Sequence, residues 1–225
     1  MHVYPAILSD ALQLVSDQIT EAQQLPGVTT VHVDVIDGIF ADNLTVAPVD
    51  IVDLSFGELT ADFHLMVEEP VDYVLELVPH KQTLPIRALV GQIERMSSQK
   101  FFVEEVKKQG WKAGLALDLF TPAEEIDDAS WDYLDCVIVL AVEAGLQGQQ
   151  FHAQALEKIA EIRQQAKRRQ KEIEIIVDGG VDETVLKRIY AAGADSVAIG
   201  SHLWHADDPD SLVTQAHMSL ERYTE

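Results

Sequence analysis

The run Cys136-Val137-Ile138-Val139-Leu140 decides the fold class, because no polar side chain interrupts its five apolar residues. β-Branched residues such as valine and isoleucine favour strands, and a strand that is apolar at every position has both faces buried. Such strands are typical of parallel sheets that are covered on both faces. The run therefore predicts a parallel sheet in an α/β protein.

Similar units extend from this run in both directions along the chain. Short apolar runs alternate with longer segments in which apolar residues recur every three or four positions. The apolar runs predict eight strands, at residues 3–8, 30–36, 61–67, 86–93, 112–117, 136–142, 173–177 and 196–199. A predicted helix follows each strand, at residues 11–25, 49–54, 71–78, 99–109, 123–126, 153–169, 183–192 and 210–222. Eight such units without a linker favour a (β/α)₈ barrel that forms one domain over residues 1–225.

The main alternative fold is an open, doubly wound sheet. That fold normally carries a glycine-rich phosphate loop directly after its first strand. Here the corresponding turn reads Ser9-Asp10-Ala11 and contains no glycine. The absence of this loop favours the barrel.

The composition argues against several classes of partner. The chain of 225 residues carries 16 Lys and Arg against 38 Asp and Glu, which gives a formal charge of −22. Hydrophobic residues make up 47% of it, a fraction typical of a globular protein rather than a disordered acidic chain. Nucleic acids and anionic membranes are bound through basic surfaces, so neither is expected as a partner.

We expect a cytoplasmic protein. No stretch approaches the roughly 20 apolar residues of a membrane span. The first residues, Met1-His2-Val3-Tyr4-Pro5, lack the basic start and the apolar core of a signal peptide. The one cysteine, Cys136, excludes a disulfide within the chain, and we expect it to be a small buried side chain.

Polar residues interrupt three of the predicted strands near the ends where a barrel of this kind carries its active site. His32 and Asp34 are two residues apart on the second strand and so share a face. His64 lies in the third strand, and Asp178 ends the seventh. Each of the four alone is typical of a hydrogen-bonded core residue or a helix cap. Together they form a His₂Asp₂ set that suits a divalent metal ion such as zinc, iron, manganese or cobalt.

A second histidine-rich segment follows the eighth strand. It contains His202 and His205 close to Asp207 and Asp208. The segment lies in a predicted loop, and we expect these side chains to be exposed to solvent rather than to form a second metal site.

Glycines follow the last three strands. Gly179-Gly180 comes after the seventh strand and Gly200-Ser201 after the eighth, and the loops at these two positions commonly form a phosphate site in barrels. The sixth strand is followed by Gly145-Leu146-Gln147-Gly148. One such turn alone would indicate only a tight turn. Glycines after both the seventh and eighth strands favour phosphate binding.

These motifs, taken in order, resemble the ribulose-phosphate 3-epimerase family over nearly the whole chain. The elements that carry the resemblance are Pro5-Ala6-Ile7-Leu8-Ser9, His32-Val33-Asp34-Val35-Ile36-Asp37-Gly38-Ile39-Phe40, Asn43, His64-Leu65-Met66-Val67-Glu68-Glu69-Pro70, Lys112-Ala113-Gly114, Val177-Asp178-Gly179-Gly180 and Gly200-Ser201. The resemblance implies a TIM barrel of the ribulose-phosphate-binding type. It also implies a metal-dependent isomerase of the pentose phosphate pathway that converts D-ribulose 5-phosphate to D-xylulose 5-phosphate.

The resemblance also implies roles for individual residues. Asp34 and Asp178 would be the acid/base pair, and Ser9 would contact the sugar. The divalent metal would be held by His32, Asp34, His64 and Asp178. The phosphate would be bound by the backbone of Gly145, Leu146, Gln147, Gly148, Gly179, Gly180, Gly200 and Ser201. The expected partner is a small sugar phosphate, and we also expect a homo-oligomer.

The chemistry of such a reaction suits two carboxylates. Inverting a carbon next to a ketone requires that one proton leaves one face and another arrives on the opposite face. A bound metal would stabilise the enediolate between these two steps as a Lewis acid. The histidine ligands would need to be neutral.

Several positions depart from the family pattern. Gln147 replaces a glycine in the loop after the sixth strand, where a side chain would be strained if that position required a positive φ. Glu143 adds an anion near the predicted phosphate site, and Gln92 stands where the family usually has a histidine. Methionines of the family are replaced by Ile36 and Leu140. Since the four metal-type residues are retained, these changes concern the substrate more than the reaction.

Two alternatives stay open, and a third is disfavoured. The same chemistry could act on another ketose, such as the hexulose allulose 6-phosphate, which the altered loop after the sixth strand motivates. The chain could also be a non-catalytic barrel that binds a sugar phosphate. A lyase or decarboxylase would need a lysine near the carboxyl end of a strand, and Lys112, the only lysine in a predicted strand, lies at the opposite end.

Overall fold

Eight parallel strands close into a barrel in the computed structural model, which describes residues 1–218. Each strand pairs with the next one along the chain, and the last pairs with the first. The strands are β1 (His2–Ile7), β2 (Thr30–Ile36), β3 (Thr60–Met66), β4 (Ile86–Gln92), β5 (Lys112–Leu117), β6 (Cys136–Leu140), β7 (Glu174–Asp178) and β8 (Ser196–Ile199). The predicted barrel is confirmed.

The helices surround the barrel. They are α1 (Leu12–Ala22), α2 (Pro70–Leu77), α3 (Gln99–Lys108), α4 (Ala155–Arg168), α5 (Leu186–Ala192), α6 (Ser201–Trp204) and α7 (Pro209–Met218). Short 3₁₀ helices lie at Pro48–Ile51, Val78–His80, Ile93–Arg95 and Ala123–Glu125. The last predicted helix, 210–222, coincides with α7 as far as residue 218, and its remaining residues lie outside the described part of the chain.

The helices predicted at 49–54 and 123–126 are short 3₁₀ helices. One further predicted helix is shorter than expected, and one short helix was not predicted. The helix predicted at 183–192 begins only at Leu186, because the Asp182 side chain accepts hydrogen bonds from the backbone N–H (2.8 Å) and the hydroxyl (2.6 Å) of Thr184. These bonds hold the preceding residues in a turn. The four-residue helix α6 is too short to give a periodic signal, and the sequence did not predict it.

Small apolar side chains fill the middle of the barrel. Seven buried residues from five strands form one cluster there, namely Tyr4, Ala88, Val90, Ala116, Cys136, Ile138 and Ile176. The predicted burial of Cys136 is confirmed, since its side chain is fully buried. The barrel is therefore a packed core, and only its two ends can hold polar chemistry.

A cluster of charged residues closes the amino-terminal end of the barrel. The pairing of β3 with β4 shifts register between Ala61 and Asp62, which leaves Arg87 in a bulge. From there the Arg87 guanidinium binds the carboxylates of Asp62 and Glu174 and lies 4.7 Å from the centre of the Tyr4 ring. The opposite, carboxyl-terminal end is open and holds the residues singled out in the sequence.

No helix within residues 1–218 is long and apolar enough to span a membrane.

Candidate active site

The four metal-type residues meet at the carboxyl end of the barrel. The pairing of β2 with β3 sets Asp34 directly opposite His64, and Asp178 ends β7. Oδ1 of Asp34 lies 3.2 Å from Nε2 of His32 and 3.0 Å from Nδ1 of His64. Oδ2 of Asp178 lies 3.6 Å and 3.5 Å from the same two nitrogens. All four side chains are almost completely buried.

The geometry of this cluster fits a metal ion. Its four donor atoms all lie within 4.8 Å of one another. Metal–ligand distances of about 2.0–2.2 Å give donor separations of about 3.3–3.6 Å in a tetrahedral site. The measured nitrogen–oxygen separations of 3.0 to 3.6 Å are close to that range. Two imidazoles and two carboxylates therefore form a compact donor set for a divalent cation.

The cluster is electrostatically coupled. Burial favours neutral rings, but the carboxylates of Asp34 and Asp178 outweigh burial and raise the pKa of His32 to about 10. The pKa of His64 is raised for the same reason. Burial also opposes ionisation of Asp178, yet its hydrogen bonds to both rings hold its pKa well below its ordinary value. Without a metal, the neighbouring carboxylates therefore favour the protonated form of both rings.

This coupling predicts opposite effects of pH on the metal-free and zinc-loaded proteins. The pKa of His32 lies above its value of about 6.5 in an unfolded chain, so its stabilising charge is fully present below pH 6.5 and is lost as the pH rises towards 10. We expect the free energy of unfolding of the metal-free protein to fall between pH 6.5 and 9.5. Zinc requires neutral rings, so its stabilising effect should grow over the same interval.

Urea unfolding at both pH values, with and without Zn²⁺, measures this difference. A metal-free protein that gained stability as the pH rose would contradict the pairing of the rings with the carboxylates.

The two histidines are held differently on the side away from the carboxylates. His64 presents Nδ1 to the cluster, and its Nε2 lies 3.2 Å from the carboxamide of Gln92. His32 presents Nε2, and its buried Nδ1 has no hydrogen-bond partner among the described residues. Among side-chain hydrogen-bond partners within residues 1–218, only a carboxylate therefore orients the His32 ring.

A cavity of about 1000 Å³ extends from this centre towards the loops after β6, β7 and β8. Asp34 and Asp178 line one end of it. All residues of the predicted phosphate site line it as well, namely Gly145, Leu146, Gln147, Gly148, Gly179, Gly180, Gly200 and Ser201. Within residues 1–218 no lysine or arginine lines this cavity, so an anion there would depend on backbone N–H groups.

Glycine is required at the turn after β7. Gly180 has a φ of 66°, and a Cβ atom there would lie 2.3 Å from the backbone nitrogen of Phe151. The adjacent loop after β6 is held from outside, because Nδ2 of Asn43 donates to the carbonyl of Gly145 at 2.7 Å. The approach of Gly180 to Phe151 brings the loops after β6 and β7 close together, and Asn43 ties the β6 loop to the segment after β2.

The strain considered for Gln147 does not arise. Positive φ in this loop is confined to Gly145 (97°) and Gly148 (75°), and Gln147 is not among the residues with positive φ. Its side chain instead reaches across to β1, where Nε2 donates to the carbonyl of Leu8 at 3.2 Å. The substitution therefore changes the lining of the cavity without straining the backbone.

Ser9 is the one predicted site residue that belongs neither to the metal-type cluster nor to the lining of the cavity. Its hydroxyl accepts a hydrogen bond from the backbone nitrogen of Ala11 at 3.0 Å, and the neighbouring Leu8, rather than Ser9, lines the cavity. Its contact with a sugar stays a prediction.

The histidines after β8 are exposed, as expected. His202 pairs with Glu183 at 2.7 Å, and His205 bonds to the carbonyl of Ser201. The cluster at the barrel mouth is the only metal-type group within residues 1–218.

The fold and the site together define the class of protein. It is a (β/α)₈ barrel that carries a metal-type centre of two imidazoles and two carboxylates, buried at its mouth beside a glycine-rich cavity. The model of the ribulose-phosphate 3 epimerase family matches residues 2–204. The chain belongs to this family, and it is an isomerase of the epimerase type. The resemblance noted in the sequence is thus confirmed.

Individual relatives agree with this assignment. Ribulose-phosphate 3-epimerase of Bacillus subtilis (strain 168) is 30% identical over 215 residues, which cover 95% of this chain and 96% of that protein. The enzyme of the same name from Escherichia coli (strain K12) is 31% identical over 223 residues, which cover 98% and 96%. Phosphoribosyl anthranilate isomerase of Thermus thermophilus has a TM-score of 0.62 at 13% identity, with 98% and 100% covered, and supports the fold alone.

Proposed function

We propose that the chain is a metal-dependent epimerase that inverts carbon 3 of a ketose phosphate and converts D-ribulose 5-phosphate to D-xylulose 5-phosphate. The observation that carries this proposal is the meeting of two buried carboxylates, Asp34 and Asp178, at one end of the cavity. They come from β2 and β7, which are separated around the barrel by β8 and β1. The names of the curated relatives support the same substrate.

The carboxylates would carry the proton chemistry. One of them would remove the proton from carbon 3 on one face of the sugar, and the other would deliver a proton to the opposite face. His32 and His64 would join both carboxylates in holding the metal. A bound divalent ion supplies Lewis-acid stabilisation of the negative charge that develops when the proton leaves. Reconstitution with zinc, iron, manganese or cobalt identifies the ion that supports turnover.

The phosphate would occupy the other end of the cavity. The turns at Gly179–Gly180 and Gly200–Ser201 line it, and their backbone N–H groups are the donors that such loops offer to phosphates. The side chains around them include several carboxylates, among them Glu143 and Asp182. Backbone donors would thus have to bind the anion in spite of a negative surrounding field.

A direct test is the formation of xylulose 5-phosphate from ribulose 5-phosphate by the metal-loaded protein, with a chelator-treated sample as control. Turnover that is lost with the chelator and regained with one of the four metals is the expected result. A protein that binds ribulose 5-phosphate without turning it over would instead be the non-catalytic barrel.

The side chain of Gln147 favours the pentulose over a hexulose 6-phosphate. Because it spans from the β6 loop to Leu8, it takes up room in the cavity beside Gly200. We expect Gln147→Gly to raise kcat/KM for allulose 6-phosphate relative to ribulose 5-phosphate by roughly tenfold, since one or two methylene groups of space have about this effect. Steady-state kinetics on both substrates measure the ratio.

The matched control is Gln170→Gly. Gln170 is exposed and has a φ of 55°, which glycine adopts easily, and it follows α4, away from the cavity. This variant should leave the ratio unchanged. A Gln147→Gly protein with the same ratio would remove Gln147 from the determinants of substrate length.

We also propose that residues 1–225 act as one barrel domain and that this domain assembles as a homo-oligomer. Light scattering of the purified chain measures the mass of the particle. A particle with the mass of a single chain, 25.0 kDa, would contradict the assembly.

A further inference from the structure

Gln92 lies at the end of β4, directly beside the metal-type centre. Its side chain is fully buried and contacts Nε2 of His64 at 3.2 Å. Two acceptors face the other end of its carboxamide, namely the carbonyl of Ala116 at 2.9 Å and Oε2 of Glu94 at 2.8 Å. Gln92 thus connects the centre to two groups that do not touch the centre themselves.

These two acceptors decide the orientation of the carboxamide. Only its NH₂ group can donate to Ala116 and Glu94, so this group has to face them. The amide oxygen then faces His64, where it can only accept a hydrogen bond. The reverse orientation would set oxygen against oxygen at both contacts, inside a buried site where an unsatisfied polar atom is costly.

The orientation of the carboxamide in turn decides the state of His64. Because the amide oxygen accepts, Nε2 of His64 must carry a proton. In a neutral ring the lone pair is then on Nδ1, which is the nitrogen that faces Asp34 at 3.0 Å and Asp178 at 3.5 Å. A metal ligand requires this free lone pair.

We propose that Gln92 is a positioning residue that fixes the Nε2–H tautomer of His64 and so presents Nδ1 to the metal. The inference rests on the proposed metal dependence and adds to it a residue outside the ligand set. Gln92 stands where the family usually has a histidine, so this chain obtains the orientation of His64 with a neutral amide. His32 has no such partner on its Nδ1. Among residues 1–218, Gln92 is therefore the only side chain that hydrogen-bonds a histidine of the centre on the side of the ring away from the carboxylates.

The test is the Zn²⁺ affinity of the metal-free Gln92→Met protein, measured by competition with a coloured chelator. Methionine has a similar length but cannot accept from Nε2–H. Loss of a hydrogen bond to a metal-binding histidine typically lowers affinity by about 10- to 100-fold, and we expect a loss in this range. Gln164→Met, on the exposed side of α4, is the matched control and should bind Zn²⁺ like the unsubstituted protein.

Gln92→Glu should restore the affinity. A buried carboxyl group beside Glu94 is expected to be protonated, so it offers one acceptor to His64 and one donor to the other side, like the amide. Restoration by glutamate would not follow if Gln92 only filled space, because methionine fills space as well.

Nitrogen NMR of the zinc-loaded, unsubstituted protein gives a second measurement that needs no variant. We expect the proton of His64 on Nε2 and the metal on Nδ1, and the reverse assignment would overturn the inference. Equal Zn²⁺ affinity of the Gln92→Met protein would overturn it too. A failure of the unsubstituted protein to bind any of the four metals would instead contradict the proposed metal dependence.

Discussion

Asp34→Asn and Asp178→Asn proteins are each expected to lose kcat by about a thousandfold, since general acid–base catalysis contributes about 10²- to 10⁴-fold. Asparagine keeps the shape of the side chain and an oxygen that can face a metal, but it cannot exchange a proton. The two carboxylates share the same pair of rings, at 3.0 to 3.6 Å. Each carboxylate is proposed to serve one face of the sugar, so either substitution should block one face, and epimerisation needs both faces.

Metal content has to be measured beside kcat to separate proton transfer from metal binding. Both asparagine proteins should be assayed with saturating metal, and their bound metal should be determined by elemental analysis. Asp17→Asn, on the exposed surface of α1, is the matched control and should keep full activity. Metal-loaded Asp34→Asn and Asp178→Asn proteins with unchanged kcat would show that neither carboxylate transfers a proton.

Arg87→Met is expected to cost about 3–5 kcal/mol of stability, the usual penalty for removing one partner of a buried ion pair. Asp62, which is fully buried, and Glu174 would each lose their cation. Burial already raises the pKa of Asp62, and Arg87 contributes to the lowered pKa of Glu174. Urea unfolding of the substituted and unsubstituted proteins measures the difference in free energy.

A double substitution checks that the loss comes from uncompensated charge. Asp62→Leu combined with Arg87→Met removes both members of the pair, and we expect it to be more stable than Arg87→Met alone. Arg188→Met, on the exposed side of α5, should change stability by less than about 0.5 kcal/mol. An Arg87→Met protein as stable as this control would mean that the charged cluster does not hold the amino-terminal end of the barrel.

The strands could be predicted because their signal is local. The apolar runs at 30–36, 112–117 and 196–199 coincide with β2, β5 and β8, and the His-x-Asp spacing set His32 and Asp34 on one face. The meeting of these residues with His64 and Asp178 follows from the rule that parallel strands in a barrel end at the same rim. The strands and the shared face of these side chains can be predicted from residue types and their alternation along a strand.

The remaining features depend on contacts between distant parts of the chain. Arg87 enters the barrel only because the register of β3 and β4 shifts beside it, and no local pattern marks such a bulge. The orientation of Gln92 is set by Glu94, two residues further along the chain, and by the carbonyl of Ala116, which lies on the neighbouring strand β5. Its one signal in the sequence was the departure from the histidine that the family usually has at this position. Gln147 also departed from the family, but its φ could not be read from the residue type.

The most direct test of the account is proton exchange at carbon 3. The metal-loaded protein is incubated with ribulose 5-phosphate in D₂O, and the products are followed by proton NMR. We expect deuterium to replace the carbon 3 proton while xylulose 5-phosphate accumulates. Accumulation should be about a thousandfold slower in both the Asp34→Asn and Asp178→Asn proteins, whereas exchange into ribulose 5-phosphate should be lost only in the variant that lacks the carboxylate facing its carbon 3 proton. A metal-loaded protein that leaves the carbon 3 proton in place would contradict the proposed epimerisation of ribulose 5-phosphate.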